Sequence, residues 1–286
     1  MSSAVTVLAE TEAAVLTTGR VRPRSPLLAA AATLFVLLAL VLAFPGLFTA
    51  HSPEATDVAA ALRPPDGRHW LGTDQLGRDV YARLVYGTRL SVLIAVGATL
   101  IGVGGGALLG LLSACGGRRV DFALMRIVEV LLGFPELLLA LLVVALLGGG
   151  TLNVAIALGI AGVPSYARLV RGQARLVLRS EYVEAARVLG VRPWRTVLRH
   201  VLPNVGGPLV VLASIGLGSA IVSGAGLSVL GLGPVPPDAD WGAMVADGKD
   251  FLQTAWWISV FPGLAVTVLV VATTLAGRRL QLRAVR

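Results

Sequence analysis

Charge is what this sequence has least of: only 14% of its 286 residues are Asp, Glu, Lys or Arg, against 56% hydrophobic residues and a mean hydropathy of +0.81. A soluble globular domain carries about a quarter of its residues charged, so that class is excluded and a membrane protein is expected. Cysteine is nearly absent as well. The one copy, Cys115, excludes an intrachain disulfide framework, and its place at the end of an apolar run predicts a small packing residue. No G-x-x-x-x-G-K-[ST] segment occurs, so the chain has no phosphate-cradling loop of its own; if ATP powers it, another subunit binds that ATP. A net charge of +8 would suit nucleic acid if it formed one patch. Here the basic residues are dispersed between apolar runs, and nucleic acid is not expected as a partner.

Apolar sequence is what the chain has in abundance. A helix crossing the hydrocarbon core needs roughly 20 apolar residues, and five charge-free stretches reach that length: 27–48, 90–117, 137–167, 205–237 and 251–277. The third must hold two spans, because its pattern begins near Phe122 and breaks at Gly148-Gly149-Gly150-Thr151. The expected fold is therefore all-α, a polytopic membrane bundle of six transmembrane helices. Its parts are a tail over 1–26, a first span over 27–48, an outer segment over 49–89, a five-helix core over 90–277 containing a loop over 168–204, and a second tail over 278–286. A cleaved secretory signal is the alternative reading of 27–48. The run is long for one, lacks a small-x-small site before His51, and its removal would leave an odd number of spans.

Basic residues orient this bundle. With the amino terminus inside, inner segments hold 18 of them, including Arg20, Arg22 and Arg24, and outer segments hold 6. The excess places both termini in the cytoplasm. The end of the outer segment, with Val80, Leu84 and Tyr86 among Arg78, Asp79, Arg83 and Arg89, predicts an amphipathic anchor at the interface.

Few residues inside the spans carry chemistry. Gly102-Val103-Gly104-Gly105-Gly106-Ala107 fits a dinucleotide fingerprint as a string, but no strand precedes it. Small residues inside an apolar span predict close helix packing instead, and no cofactor is expected. Intramembrane charges are costly and call for a role. Arg126 and Glu129 fit an i,i+3 pair, whereas Glu136, following Pro135, either lines a polar path or faces neighbouring helices. Three such residues make a poor proton relay, which counts against an ion-coupled secondary transporter.

The loop over 168–204 is the most informative part of the chain. Arg168, Arg171, Arg175 and Arg179 recur at helical spacing as one stripe. A second helix follows from about Glu181, Gly190 stops it, and Pro193 opens a third, which Pro203 ends. The third places Trp194, Val197, Leu198 and Val201 on one face and Arg192, Arg195 and Arg199 on the other. A helix-turn-helix this small cannot build its own core, so it rests on a partner protein or on anionic lipid.

Glu184-Ala185-Ala186, Gly190 and His200-Val201-Leu202-Pro203-Asn204 resemble the E-A-A…G…H-x-L-P-N loop of ATP-binding-cassette importer permeases, peptide and nickel branch. His69-Trp70-Leu71-Gly72-Thr73-Asp74-Gln75-Leu76-Gly77-Arg78-Asp79 resembles the G-T-D-x-L-G-R-D segment of that branch's "C" type subunits. Leu227 to Gly233, Trp241-Gly242 and Phe261-Pro262-Gly263 agree. The resemblance implies a type I importer fold and four kinds of partner: a second permease, two ATPases, an external solute-binding protein and membrane lipid. It also implies that Glu184, Ala185, Ala186 and Gly190, with His200, Pro203 and Asn204, form the dock for an ATPase, although Glu184 could equally cap its own helix. Segments 49–89 and 232–255 become docking candidates for the binding protein, the second being acidic through Asp238, Asp240, Asp247 and Asp250. The basic tail from Gly277 departs from the family's acidic-basic ending.

Overall fold

The computed structural model describes residues 26–235 and 237–284; among them no strand forms, only an isolated antiparallel bridge between Thr73 and Asp79. The helices are α1 (Pro26–Ala43), α2 (Val80–Cys115), α3 (Gly117–Leu132), α4 (Glu136–Leu147), α5 (Thr151–Leu178), α6 (Glu181–Val188), α7 (Pro193–Thr196), α8 (Leu202–Val229), α9 (Trp241–Gly248) and α10 (Trp257–Ala284). Arg20, Arg22, Arg24 and Arg286 lie outside the described residues.

Among the described residues, four helices are long and apolar enough to cross a membrane: α2, α5, the continuous run Pro193–Val229, and Trp257–Gly277 of α10. A fifth is reached by joining α3 and α4, so the expected six is not reached by this count. The pair is bent by 96°. The expected third span is thus not one straight helix, because Pro135 lacks an N–H and disfavours helical backbone at Phe134. The turn at Gly148 to Gly150 falls where the sequence placed it, and α1 stops at Ala43, short of residue 48.

At the centre stands α5, with 61% of its most apolar stretch buried inside the chain, against 28%, 22% and 33% for the other long helices. It lies against α2 along the buried stripe Gly102, Gly106 and Gly110. A Cβ at Gly106 would collide with Tyr166, and one at Gly110 would come within 2.7 Å of the Ala167 carbonyl. Only glycine lets these backbones approach so closely. The sequence reading of the glycines as packing residues holds.

Three clusters fix the remaining helices. Ile94, Ala98, Val144, Val154, Leu158 and Leu227 join α2, α4, α5 and α8. Ile221, Trp241, Met244, Trp257 and Leu269 seat α9 and α10 at one end. Val170, Ala174, Val201 and Val205 join α5 to α8 at the other. Cys115 is exposed at the last turn of α2 and is not the packing residue expected.

The interfacial anchor expected before residue 90 is absent as a separate element. Residues 80–89 are the first turns of α2, whose 36 residues span about 54 Å, well beyond the hydrocarbon core. They project into a cap built from the outer segment, α9 and the start of α10. Arg78, Asp79 and Arg83 are buried there rather than lying on lipid headgroups. Arg89 instead donates to the carbonyls of Leu42 and Ala43, closing the C-terminal end of α1.

Candidate functional site

At the end of the bundle opposite the cap, α6 projects from between α5 and α8. Its C-terminus is closed by a Schellman turn: Val191 N–H donates to the Ala186 carbonyl at 3.0 Å, with Gly190 at φ +76°. Val183 is fully buried beneath it. The tip is bare, with Val188 84% and Leu189 83% exposed and Trp194 and Leu198 each 54% exposed. Arg195 stacks 5.2 Å from the Trp194 ring centroid. The single apolar face expected for Pro193 onward is therefore split, since Val201 turns inward and Trp194 and Leu198 turn outward.

Pro203 does not end that helix. The turn Val197–Val201 is π-helical and runs directly into α8. Widening the turn before a proline relieves the clash of its ring with the carbonyl four residues back. Two motif residues brace this junction: Asn204 Nδ2 donates to the His200 carbonyl at 2.6 Å and reaches the Tyr182 hydroxyl at 3.4 Å, while the Tyr182 and His200 rings meet edge to face at 5.7 Å. Tyr182 was not singled out by sequence; its place in the first turn of α6, opposite His200, emerges only in three dimensions. Glu184, Ala185, Gly190, Pro203 and Asn204 are exposed, and Ala186 and His200 are half-buried.

The arginine stripe of α5 is partly spoken for. Asp121 of α3 accepts from Arg171 Nε at 2.5 Å and Nη2 at 2.9 Å, pairs with Arg175 at 2.6 Å, and receives the Ser113 hydroxyl at 2.6 Å. Neither Asp121 nor Ser113 stood out in the sequence, because the arginines that Asp121 pairs with lie about 50 positions away. Arg126 and Glu129 do form the expected pair, at 3.9 Å and well exposed.

Glu136 opens onto a cavity of about 190 Å³ near the middle of α2, α5 and α8. Thr99, Ser165, Tyr166 and Ser219 supply its hydroxyls among Ala98, Leu158, Leu212 and Ile215. Glycines admit Tyr166: a Cβ at Gly102 would lie 3.0 Å from its ring, and one at Gly216 would overlap its hydroxyl. Glu136 both borders this cavity and lies against α5, where a Cβ at Gly162 would stand 3.7 Å from its Oε1. Tyr166 went unnoticed in the sequence, where a lone tyrosine within an apolar run was the only signal.

In the cap, Asp74 binds Arg78 Nε at 2.6 Å, lies 3.7 Å from Arg83, and accepts from the backbone N–H of Leu76 and Arg78. Asp247 stands 3.9 Å from both guanidinium groups. Burial pushes its carboxyl above the ordinary value, against the pull of Arg83 and Arg78. Asp79 accepts from His69 at 2.8 Å and caps α2 at Ala82 N–H. Asp240 caps α9 and receives the Ser91 hydroxyl at 2.7 Å. Trp257 Nε1 donates to the Thr73 carbonyl. The expected acidic docking surface thus shrinks: of its four aspartates only Asp238 and Asp250 are exposed.

A bundle of long apolar helices around a largely apolar cavity that holds one carboxylate and four hydroxyls, ending in a bare amphipathic loop, defines a multi-pass membrane protein. Residues 106–286 match the family model described as binding-protein-dependent transport system inner membrane component, and the chain belongs to that family. It is 40% identical over 255 residues to the probable D,D-dipeptide transport system permease protein DdpC of Escherichia coli K12, covering 88% of this chain and 85% of the relative. The dipeptide transport system permease protein DppC of Alkalihalophilus pseudofirmus is 38% identical over 86% of this chain and 80% of its own. Among solved structures, the MetNI methionine ABC transporter in inward-facing conformations superposes with a TM-score of 0.59 at 19% identity, covering 71% of this chain and 97% of that one. At that identity the likeness speaks for the fold. Membership of this family displaces the ion-coupled secondary transporter weighed above.

Proposed function

We propose that the chain is one of two permease subunits of an ATP-driven importer of peptides, working with two ATPases and an external solute-binding protein. Relatives named for dipeptides support the cargo. The reading takes α1 as a sixth span, both termini and the α6 loop as cytoplasmic, and the cap as external. Closure of the ATPases on ATP pushes the α6 loop, and the bundle rocks between outward-open and inward-open states. Cargo delivered by the binding protein must favour the outward state differentially for this to be transport.

One observation carries the coupling assignment. Val188 and Leu189 are more than four-fifths exposed at the tip of a helix whose opposite side is locked by Val183 and by the Tyr182, His200 and Asn204 contacts. A rigid stem with a bare apolar tip fits a groove in another protein. Glu184, free of bonds to other described side chains, can accept donors from that groove, and Ala185 and Ala186 allow close approach. The Glu136 cavity is the portion of the translocation path that this chain lines. Complexes carrying Glu184→Lys or Gly190→Val are expected to lose ATP-dependent peptide uptake while remaining in the membrane at normal level. Full uptake by both, with wild-type ATPases, would overturn the assignment.

A further inference from the structure

We propose that the Glu136 cavity recognises the cationic amino terminus of a peptide in transit, the ammonium pairing with the Glu136 carboxylate. The proposal rests on the cavity being part of the path, as read above. Among the described residues Glu136 is the one carboxylic acid on the cavity wall, and every other polar side chain there carries a neutral hydroxyl. No arginine or lysine lines the cavity among the described residues, and Arg126 is paired with Glu129 and Arg171 and Arg175 with Asp121. A carboxylate at mid-depth of an apolar bundle is costly to keep, and Glu136 repays that cost with no ion pair or hydrogen bond to a described side chain. Such a group favours a ligand that brings its own positive charge. The hydroxyls of Ser165, Tyr166 and Ser219 can accept the remaining ammonium protons or donate to the first peptide carbonyl. No cation on the wall attracts a free carboxylate, so the cavity distinguishes the two ends of a peptide. Its volume of about 190 Å³ is room enough to admit a terminal residue.

The test uses the complete importer in proteoliposomes, with the binding protein saturated by either trialanine or N-acetyl-trialanine. Rates are referenced to the wild-type complex for each peptide, so any preference of the binding protein cancels. Glu136→Gln is expected to reduce trialanine uptake roughly tenfold, the loss of one charge-assisted contact, and to leave N-acetyl-trialanine unchanged. Glu136→Asp, which keeps the charge, is expected to retain the difference between the peptides. Thr99→Lys, which places an ammonium in the same cavity, should depress trialanine selectively and keeps the proposal testable if Glu136→Gln does not assemble. An equal fall for both peptides overturns ammonium recognition while sparing the cavity as part of the path. No change for either peptide overturns both.

Discussion

The two ends of the bundle handle the same problem in opposite ways. The cap buries its charges and pairs them: Arg78, Asp79, Arg83 and Asp240 are all nearly inaccessible, and each has a partner across the outer segment, α2 or α9. The α6 end exposes apolar side chains that no described residue covers, Val188, Leu189, Trp194 and Leu198. A buried ion cluster is difficult to rearrange and holds a fixed shape, whereas an uncovered apolar tip is complete only in company. The chain is therefore self-sufficient at one end and unfinished at the other.

Disrupting the cap should have the largest effect on this contrast. Arg83→Met leaves Asp74 and Asp247 short of a cation, and the expected destabilisation is about 3 to 5 kcal/mol, read as a lower melting temperature of the detergent-purified chain. A melt indistinguishable from wild type would mean that the cap is not held by its charges. At the other end the same measurement should barely respond. Trp194→Ser with Leu198→Ser is expected to shift stability by no more than about 0.5 kcal/mol yet to reduce co-purification of the ATPases at least fivefold; retained ATPases would show the tip to be lipid-facing. Between these ends, Arg171→Gln removes a partly exposed pair to Asp121 and should cost about 1 kcal/mol, with Arg175 still in place.

The smallest effect concerns pH. The backbone N–H groups of His69 and Arg68 hold the Asp66 carboxyl below its ordinary value. A depressed carboxyl stabilises the fold above its unfolded pKa and loses that contribution as pH falls through the folded one. Asp66→Ala should thus make the melting temperature less sensitive to acid below pH ~4, with the wild-type advantage present at neutral pH. Identical acid profiles would show that the Asp66 turn adds nothing to the cap.

Helical periodicity, glycine stripes and turn residues are local, and they were legible: the all-helical class, the close approach of α2 to α5, the break at Gly148 and the stop at Gly190. Pairing across the chain was not. The sequence places Arg78, Asp79 and Arg83 on an amphipathic surface because what buries them, α9 with Asp247 and the start of α10, comes from some 160 positions away. Pro203 misleads for a different reason: proline normally ends a helix, and a π turn that accommodates it has no compositional mark. Of the candidate site, Glu136 was visible as a charge within an apolar span, and the loop residues were visible through their resemblance to a family motif. Tyr166 and Tyr182, apolar enough to pass as filler, were not.

The length of α2 has a mechanical consequence. One uninterrupted helix runs from the charged cap, past the Glu136 cavity, to the α3 corner that Asp121 ties to α5. Over about 54 Å, a tilt of roughly 5° moves one end of such a rod by about 5 Å relative to the other. With no hinge between them, the two faces of the membrane are geared together by a single shaft, and a push at one mouth is felt at the other as displacement and not as strain.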